Sequence, residues 1–233
     1  VDAVNAIDPG ITLATLPDLH EVNEGRMVAT VKIIPYAVAG AALSRVLDVL
    51  VKGRAIAVDA YVPRRVAVVA TMLPSLKPSV MDKTIRVLAE RLTLSASKIV
   101  AELRVAHTQD AIGAAIGELL PQSDIVLVFG ASAICDIDDV IPSAIRDCGG
   151  TIIHFGMPVD PGNLLLVGEI DAKPVIGAPG CARSPAENGF DWVLQRVLAG
   201  RAISAGEITA MGVGGLLMEI GSRPQPREGR LQE

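Results

Sequence analysis

The sequence of residues 124–139 is DIVLVFGASAICDIDD, in which a continuous apolar run stops at a glycine and gives way to three acids. The apolar run at positions 125–129 has no polar alternation, which predicts a strand buried on both faces, as in parallel sheets with helices on each side. In open α/β sheets, ligands bind beyond the carboxyl ends of the strands. We therefore expect a binding site directly after Phe129.

The loop after this predicted strand suits two different roles. Small residues allow close approach of a ligand and leave backbone N–H groups free, and the acids beyond them can hold a metal ion or a polar ring. The alternative is a tight turn whose aspartates cap the helix that follows. The sequence leaves both interpretations open. The candidate site residues of this loop are Gly130, Ala131, Ser132, Asp136, Asp138 and Asp139.

Composition and charge narrow the class of protein. Of the 233 residues 50% are hydrophobic but only 3% aromatic, so aliphatic side chains must fill the core, which favours a helix-and-sheet protein. The net charge of −5 and the lack of a basic run argue against a nucleic-acid partner. The apolar stretches are shorter than the roughly 18–20 residues that span a bilayer, and no secretion leader is recognisable near Val1. We therefore expect a cytoplasmic protein without a membrane partner, whose three cysteines are reduced thiols.

Strand and helix patterns alternate from residue 64 onward, which is typical of a parallel sheet with crossover helices. The predicted strands are 66–71, 99–105, 125–129 and 151–155, followed by a hairpin of 164–167 and 174–176. The predicted helices are 80–92, 110–120 and one that ends at Cys148. Before them, strands are predicted at 11–16 and 27–34 and a helix at 37–52. The expected fold is α/β, with a mostly parallel three-layer α/β/α sheet and a small N-terminal β-containing lobe.

Three segments follow from this pattern. Residues 1–62 are predicted to form the N-terminal β-rich lobe with its connecting helix, and residues 63–221 the α/β domain. A short strand is predicted at 216–220. Residues 222–233 are rich in proline, glycine and charge, which is typical of a linker.

A second irregular loop, GAPGCARS at 177–184, precedes the last long helix. Ser184, Pro185 and Glu187 match a capping box with proline at the first helical position, which predicts a helix that is capped by Ser184 and ends at Gly200. The amino end of a helix that faces a cleft binds anions. Ser184 is therefore predicted to be a helix cap and a ligand-binding residue.

The loops after the third and fourth predicted strands and before the last helix together resemble the molybdopterin-binding domain shared by molybdopterin adenylyltransferases, molybdopterin molybdenumtransferases and gephyrin. The family's loop G-G-x-S/T/G, followed by acids, is similar to residues 130–132 with the aspartates after them. Its P-G-K-P loop is similar to residues 161–163, and its L-P-G-N-P-x-S loop to residues 178–184. The resemblance covers residues 64–200.

The resemblance implies a ligand and a set of residues that hold it. The ligand is molybdopterin or the molybdenum cofactor, joined by Mg²⁺ and a nucleotide if the chain is catalytic. In that case Asp138 and Asp139 are the implied catalytic residues, and no metal-ligating residue is assigned. The further implied cofactor-binding residues are Pro158, Pro161, Gly162, Asn163, Pro179, Gly180 and Ser184.

The chain departs from the family pattern at several positions. The family's T-G-D-E-L loop after the first strand is replaced by TMLP at 71–74, and His107 follows the second strand, where the family tends to have aspartate. Asn163 replaces the P-G-K lysine, and Cys181 replaces the P-G-N asparagine. A lysine that neutralises a transferring phosphate and an aspartate that holds Mg²⁺ are therefore absent. These losses favour binding over catalysis.

The chain is also similar to the amino-terminal portion of bacterial proteins in which such a domain is joined to a nucleotidyltransferase. The leading hypothesis is a molybdopterin-binding module that acts in molybdenum cofactor biosynthesis or modification, presenting the cofactor to a fused or associated nucleotidyltransferase, as a homo-oligomer. Three alternatives stay open: a Mg-ATP-dependent molybdopterin adenylyltransferase or molybdenum-insertion enzyme, a related domain that hydrolyses dinucleotides, and an oligomerisation domain with a degenerate pocket.

Overall fold

The structure is a computed structural model that describes residues 1–53, 56–74 and 77–218. It divides into two compact units, residues 1–60 and the chain from Tyr61 onward. The predicted linker at 222–233 and the end of the predicted strand at 216–220 lie outside the described residues. Leu216 itself forms an isolated bridge to Asp160.

The first unit packs two helices against a hairpin. Its elements are α1 (Asp2–Asn5), β1 (Ile11–Thr15), β2 (Ala29–Ile33) and α2 (Gly40–Lys52). The two strands pair antiparallel. The side chain of Asn5 holds Leu13 through its backbone N–H and its carbonyl, at 2.7 and 2.8 Å. The predicted strands are therefore present with shorter bounds, while α1 was not predicted.

The second unit contains six strands and five helices in its described part. The strands are β3 (Arg65–Met72), β4 (Lys98–Ala106), β5 (Ile125–Phe129), β6 (Thr151–Phe155), β7 (Leu166–Ile170) and β8 (Lys173–Ala178). The helices are α3 (Pro78–Leu92), α4 (Gln109–Leu119), α5 (Val140–Asp147), α6 (Gly189–Leu198) and α7 (Ala205–Thr209).

The six strands form one sheet in the order β4-β3-β5-β8-β7-β6. Strands β4, β3, β5 and β8 are parallel, whereas β7 runs antiparallel to both β8 and β6. The prediction of a mostly parallel α/β sheet is confirmed. The run at 125–129 is the inner strand β5, and each of its residues is at most 1% exposed.

Helices cover both faces of the sheet, because successive residues of the inner strands point to opposite sides. Ile125, Leu127 and Phe129 pack into one core with side chains of α3 and α6. Val126 and Val128 pack into a second core with side chains of α4 and α5. Full burial of each large aliphatic or aromatic side chain contributes about 1.5–3 kcal/mol, so this single strand supports both cores. The predicted three-layer arrangement is confirmed.

The chain connections change direction between β3 and β5, which is where α/β sheets are expected to have a crevice. From β3 the chain passes through α3 to β4 on one side, and from β5 it passes through α5 to β6 at the opposite edge of the sheet. Neighbouring strands whose connections leave in opposite directions separate their loops, and ligands of α/β proteins bind at such points. The topology therefore directs attention to the loops that follow Met72 and Phe129.

The predicted start of the last long helix is wrong. Helix α6 begins at Gly189, with Asn188 as its cap and Asp191 completing the capping box. Ser184 instead accepts a hydrogen bond from the N–H of Ala186 at 3.2 Å, which closes a local turn. Asn188 is the better cap because its capping-box partner, Asp191, is also held in place by an ion pair with Arg91 of α3.

The predicted hairpin is confirmed, with longer strands than predicted. Strands β7 and β8 are joined by Asp171 and Ala172, whose φ angles are 50° and 58°. Two residues of positive φ form the type I′ turn that matches strand twist, and such positions favour glycine or asparagine over alanine. Ala172 therefore holds a conformation that is unfavourable for its side chain.

Ala172→Gly is expected to raise the free energy of unfolding by about 0.5–1 kcal/mol. A left-handed conformation costs an L-residue about 1–2 kcal/mol, of which the greater chain entropy of glycine offsets part. Denaturant unfolding measures the difference. The control is Ala210→Gly, at an exposed position with φ of −71°, where the same change is expected to lower stability. An equal loss in both variants would contradict the prediction.

Candidate functional site

A chain of hydrogen bonds crosses the ends of three adjacent strands. The N–H of Ala131, after β5, donates to the hydroxyl of Thr71 in β3 at 2.6 Å. The same hydroxyl lies 2.8 Å from Nδ1 of His107, after β4, and Nε2 of His107 lies 2.8 Å from Oγ of Ser132. With the proton on Nδ1, His107 donates to Thr71 and accepts from Ser132, and the other tautomer reverses both bonds. An ordered polar network therefore connects the ends of β3, β4 and β5.

Arg183 joins the loop after β8 to the loop after β5. Its Nη2 donates to the carbonyl of Gly130 at 2.7 Å, and its Nη1 donates to the hydroxyl of Thr84 in α3 at 3.1 Å. The guanidinium lies 5.7 Å from the centre of the Phe129 ring. The two loops predicted to share a site therefore lie at the same edge of the sheet.

The charge of Arg183 has no acidic counterpart in the described part of the chain, where no carboxylate forms an ion pair with it. Burial lowers the pKa of Arg183 from its ordinary value. An arginine nevertheless stays protonated in a protein. It therefore supplies a positive charge beside the crevice that an anionic group of a ligand would offset.

Each of the three aspartates in the loop after β5 forms a hydrogen bond or an ion pair with another residue of the chain. Asp136 accepts the N–H of Asp138 at 2.8 Å, and Asp138 forms an ion pair with Arg146 at 2.9 Å while its side chain is 81% exposed. Asp139 caps α5, accepting the N–H groups of Val140 and Cys135 at 3.1 and 3.2 Å. The capping role is thus observed for Asp139. Ligand binding by these acids stays a prediction.

The loop after β6 lies against the start of α6. The carbonyl of Pro161 accepts the N–H of Gly189 at 2.8 Å, and a Cβ at Gly162 would lie 2.7 Å from the same nitrogen. Packing within the chain therefore accounts for Gly162. Asn163 is exposed, and its amide reaches the carbonyl of Met157 at 3.5 Å.

Among the described residues, no backbone–backbone hydrogen bond joins the loop after β6 to residues 130–139. Pro158 is exposed at the start of that loop. The structure brings Gly130, Ala131 and Ser132 together with the β8 loop, but it does not bring Pro158 or Asn163 into that contact. A single pocket built from all of these loops stays a prediction.

The loop after β8 supplies one open glycine. Pro179 is buried, whereas a Cβ at Gly180 would meet no atom of the chain within 4 Å. A ligand can approach the backbone closely at such a position. Ser184 is half-buried and does not cap α6, so the prediction that it caps this helix is wrong, whereas ligand binding by Ser184 stays a prediction.

The remaining reactive side chains form neither bridges nor metal clusters. Cys135, Cys148 and Cys181 are free thiols, and burial raises the pKa of Cys148 and Cys181. Within residues 1–53, 56–74 and 77–218, no group of three or more His, Cys, Asp or Glu residues could hold a metal ion. No helix in those ranges is long and apolar enough to cross a bilayer.

Three residues of this edge were not among the predicted site residues. Thr71 and His107 had been recognised as departures from the family pattern, and Arg183 is the charged residue of an otherwise uncharged loop. A histidine directly after a strand and an arginine in a small-residue loop were the signals in the sequence. Their partners could not be identified there, because the contacts of Thr71 with Ala131 and of Arg183 with Gly130 span 60 and 53 positions.

The donor set suits a polar ligand with an anionic group. Hydroxyl, N–H and guanidinium donors of Ser132, the β5 loop and Arg183 lie at one edge, and exposed carboxylates of Asp136 and Asp138 follow in the same loop. Donors of this kind bind phosphate oxygens, and carboxylates accept hydrogen bonds from ring N–H and amino groups.

Comparison with known proteins gives structural matches only. No family model matches the sequence, and no curated protein sequence matches it. A molybdopterin biosynthesis moeA protein from Pyrococcus horikosii has a similar structure over 60% of this chain and 37% of its own length, with 24% sequence identity and a TM-score of 0.45.

Two smaller proteins match at similar levels. A molybdenum cofactor biosynthesis protein B matches 60% of this chain and 96% of its own, at 18% identity and a TM-score of 0.44. The molybdopterin biosynthesis enzyme MoaB from Thermus thermophilus matches 59% of this chain and 98% of its own, at 14% identity and a TM-score of 0.43. The matched part thus spans little more than a third of the Pyrococcus protein and nearly the full length of the other two.

Proposed function

We propose that the chain from Tyr61 onward is a molybdopterin-binding module of molybdenum cofactor biosynthesis or modification, which presents the cofactor to a nucleotidyltransferase. The observation that carries this proposal is the hydrogen bond from Arg183 to the carbonyl of Gly130. It joins two of the three loops that resemble the molybdopterin-binding family, beside the crevice at β3 and β5. A fused or associated transferase, a homo-oligomeric assembly and a cytoplasmic location belong to the same proposal.

The residues of this edge match the chemical parts of the ligand. Molybdopterin has a pterin with several N–H groups, a dithiolene and a phosphate. Asp136, Asp138 and Asp139 would accept hydrogen bonds from the pterin. Ser132, Arg183 and the backbone N–H groups of the β5 loop would hold the phosphate. The dithiolene supplies the soft sulfur ligands that bind molybdenum when the cofactor carries the metal.

The contacts of the charged residues favour presentation over catalysis. Both ring nitrogens of His107 are hydrogen-bonded within the chain, and neither can replace a carboxylate ligand of Mg²⁺. Asp138 is paired with Arg146, and Asp139 caps α5. These contacts fit a module that binds the cofactor and leaves the transfer step to another active site.

Co-purified pterin provides the direct test. The chain is purified from a host that makes molybdopterin, the ligand is released with acid, and oxidised pterin is measured by its fluorescence. We expect about one pterin per chain if binding survives purification with micromolar affinity or better. Protein without pterin, which also fails to bind added molybdopterin, would refute the proposed function.

Asp139→Ala is expected to weaken molybdopterin binding about tenfold or more, since a hydrogen bond to a charged group contributes about 1.5–3 kcal/mol. Its loss as a helix cap should lower the free energy of unfolding by only about 1 kcal/mol. Ligand titrations and denaturant melts on the same variant separate the two effects. Ser204→Ala, which removes the cap of α7, is the matched control and should lower stability with unchanged affinity. Unchanged affinity in Asp139→Ala would leave that residue with its capping role alone.

A further inference from the structure

The network of Thr71, His107 and Ser132 has the geometry of an orienting group, a base and a nucleophile. Nε2 of His107 lies 2.8 Å from Oγ of Ser132, and Nδ1 lies 2.8 Å from Oγ1 of Thr71. Ser132 is exposed to solvent, whereas Thr71 is fully buried and is held in addition by the N–H of Ala131. The imidazole is therefore fixed from both sides. In the tautomer with the proton on Nδ1, which the base role requires, Nε2 accepts a hydrogen bond from an accessible hydroxyl.

The turn that carries Ser132 is sharp and directly follows a buried strand. A Cβ at Gly130 would lie 2.6 Å from the carbonyl oxygen of Ser132, so only glycine allows this turn to close. The turn places Ser132 three residues beyond Phe129, above the end of β5. A serine on a tight turn after an inner strand is presented at the edge of the sheet, which is the position a nucleophile needs.

Donors for a developing negative charge lie in the same turn. Within the described part of the chain, the backbone N–H groups of Ser132 and Ala133 make no hydrogen bond. In acyl transfer, the oxygen of a tetrahedral intermediate is held by the N–H of the nucleophile or of the residue after it, together with a donor from another position. The guanidinium of Arg183, bonded to the carbonyl of Gly130, adds positive charge beside this turn.

We propose that Ser132 is a nucleophile, that His107 is its general base and that Thr71 positions His107, together forming an esterase site for small carboxylic esters. Neither the ester substrate nor the reaction depends on pterin binding. The orienting hydroxyl of Thr71 is neutral and stabilises an imidazolium less than a carboxylate would. Esters with good leaving groups are therefore the expected substrates.

Water is the only co-reactant that the proposed ester hydrolysis needs. Oγ of Ser132 forms a bond to the carbonyl carbon while its proton moves to Nε2 of His107. The bond from that carbon to the alcohol oxygen then breaks, and the leaving alcohol takes the proton from Nε2. Water attacks the acyl group on Ser132, gives a proton to His107 and releases the acid, and the proton returns to Oγ. One ester and one water thus give one acid and one alcohol.

A fluorophosphonate probe tests the nucleophile on the full chain, purified from a host that makes no molybdopterin so that no pterin covers Ser132. Attack by Oγ of Ser132 displaces fluoride and leaves a stable phosphonyl serine, which peptide mass spectrometry locates. We expect modification at Ser132, loss of that modification in Ser132→Ala, and unchanged labelling in the control Ser44→Ala, whose serine is exposed on α2. Hydrolysis of p-nitrophenyl acetate is expected to follow the same order of activity.

The base and the positioning residue are tested by labelling rates. His107→Ala is expected to slow modification of Ser132 at least a hundredfold, since a positioned base contributes about 10²–10⁴-fold. Thr71→Val should slow it about tenfold, and Thr71→Ser should restore it because the hydroxyl returns. Thr71→Ser also keeps the test valid if Thr71→Val fails to fold.

Two results would overturn the esterase proposal. One is a folded chain in which the probe leaves Ser132 unmodified, with folding checked by circular dichroism. The other is an equal labelling rate in His107→Ala and the unmodified chain, which would make the network a purely structural link between the three loops. Neither result would bear on co-purified pterin, so failure of this proposal and failure of the proposed function are distinguishable.

Discussion

Replacing Arg91 by methionine is expected to lower the free energy of unfolding by about 3–5 kcal/mol, the usual cost of removing one partner of a buried ion pair. Nε of Arg91 lies 2.5 Å from a carboxylate oxygen of Asp191, and the two side chains are only 11% and 12% exposed. Its Nη1 and Nη2 donate to the carbonyls of Ala182 and Ser184, both at 2.7 Å. The substitution leaves all three acceptors without this donor.

Denaturant unfolding of Arg91→Met measures this loss. The control is Arg104→Met, because Arg104 forms ion pairs at 2.6 Å with Asp82 and Glu102 but lies closer to solvent, with its side chain 33% exposed. Exposed pairs contribute about 0–1 kcal/mol, so the control should change stability little. Similar losses in both variants would show that burial does not strengthen the Arg91 contacts.

Arg91 also connects helix α3 to the loop that carries Arg183 of the candidate site. It belongs to α3, and through its bonds to residues 182 and 184 it fixes the backbone on both sides of Arg183. Arg183 in turn holds the carbonyl of Gly130. We therefore expect Arg91→Met to weaken ligand binding at any temperature where the chain is still folded, because the β8 loop would lose its support.

The sheet could be predicted from sequence because its signals are local. The unbroken apolar run at 125–129 can be buried on both sides only between two layers of helices, and it occupies that position. The hairpin of β7 and β8 was likewise predicted around Asp171. These features depend on residues close in sequence, so the pattern was sufficient.

The start of α6 shows where a local signal is misleading. Ser184 and Glu187 satisfy the capping pattern, which would start the helix at Pro185, yet the helix begins four residues later, at Gly189. Asp191 decides the outcome, because it accepts the N–H of Asn188 at 2.8 Å and also pairs with Arg91, 100 positions away. Short helix α7 was missed although Ser204 and Glu207 form the same capping box, so a local signal was available there.

The sequence could predict where the candidate site lies, but not the roles of its individual residues. The order of strands and loops placed residues 130–139 and 180–184 at one edge, and the contact of Arg183 with Gly130 agrees with that. The roles of individual residues were beyond the sequence, because they depend on which groups meet. The role of His107, for example, depends on its hydrogen-bond contacts with Thr71 and Ser132, which lie 36 and 25 positions away in the sequence.

Binding without transfer is the second large effect that we expect. The purified chain, loaded with molybdopterin and incubated with Mg²⁺ and each of ATP, CTP and GTP, should form no nucleotide adduct over multiple turnovers. Chromatography of the released ligand measures the product. A molybdopterin adenylyltransferase in a parallel incubation with ATP confirms that the assay detects transfer.

The physical reason for this expectation lies in two positions of the site. Asn163 is neutral where the family has lysine, and the imidazole of His107 is held between Thr71 and Ser132 where the family tends to have an aspartate for Mg²⁺. A single positioned group that stabilises transition-state charge contributes about 2.7–4 kcal/mol, and each 1.4 kcal/mol is a factor of about ten in rate. Lack of both groups is therefore expected to lower the transfer rate by about four orders of magnitude or more, while the backbone N–H groups proposed to bind the ligand are unaffected. Multiple-turnover formation of an adduct with any of the three nucleotides would show that the chain is an enzyme in its own right, and the presentation of cofactor to a separate transferase would have to be abandoned.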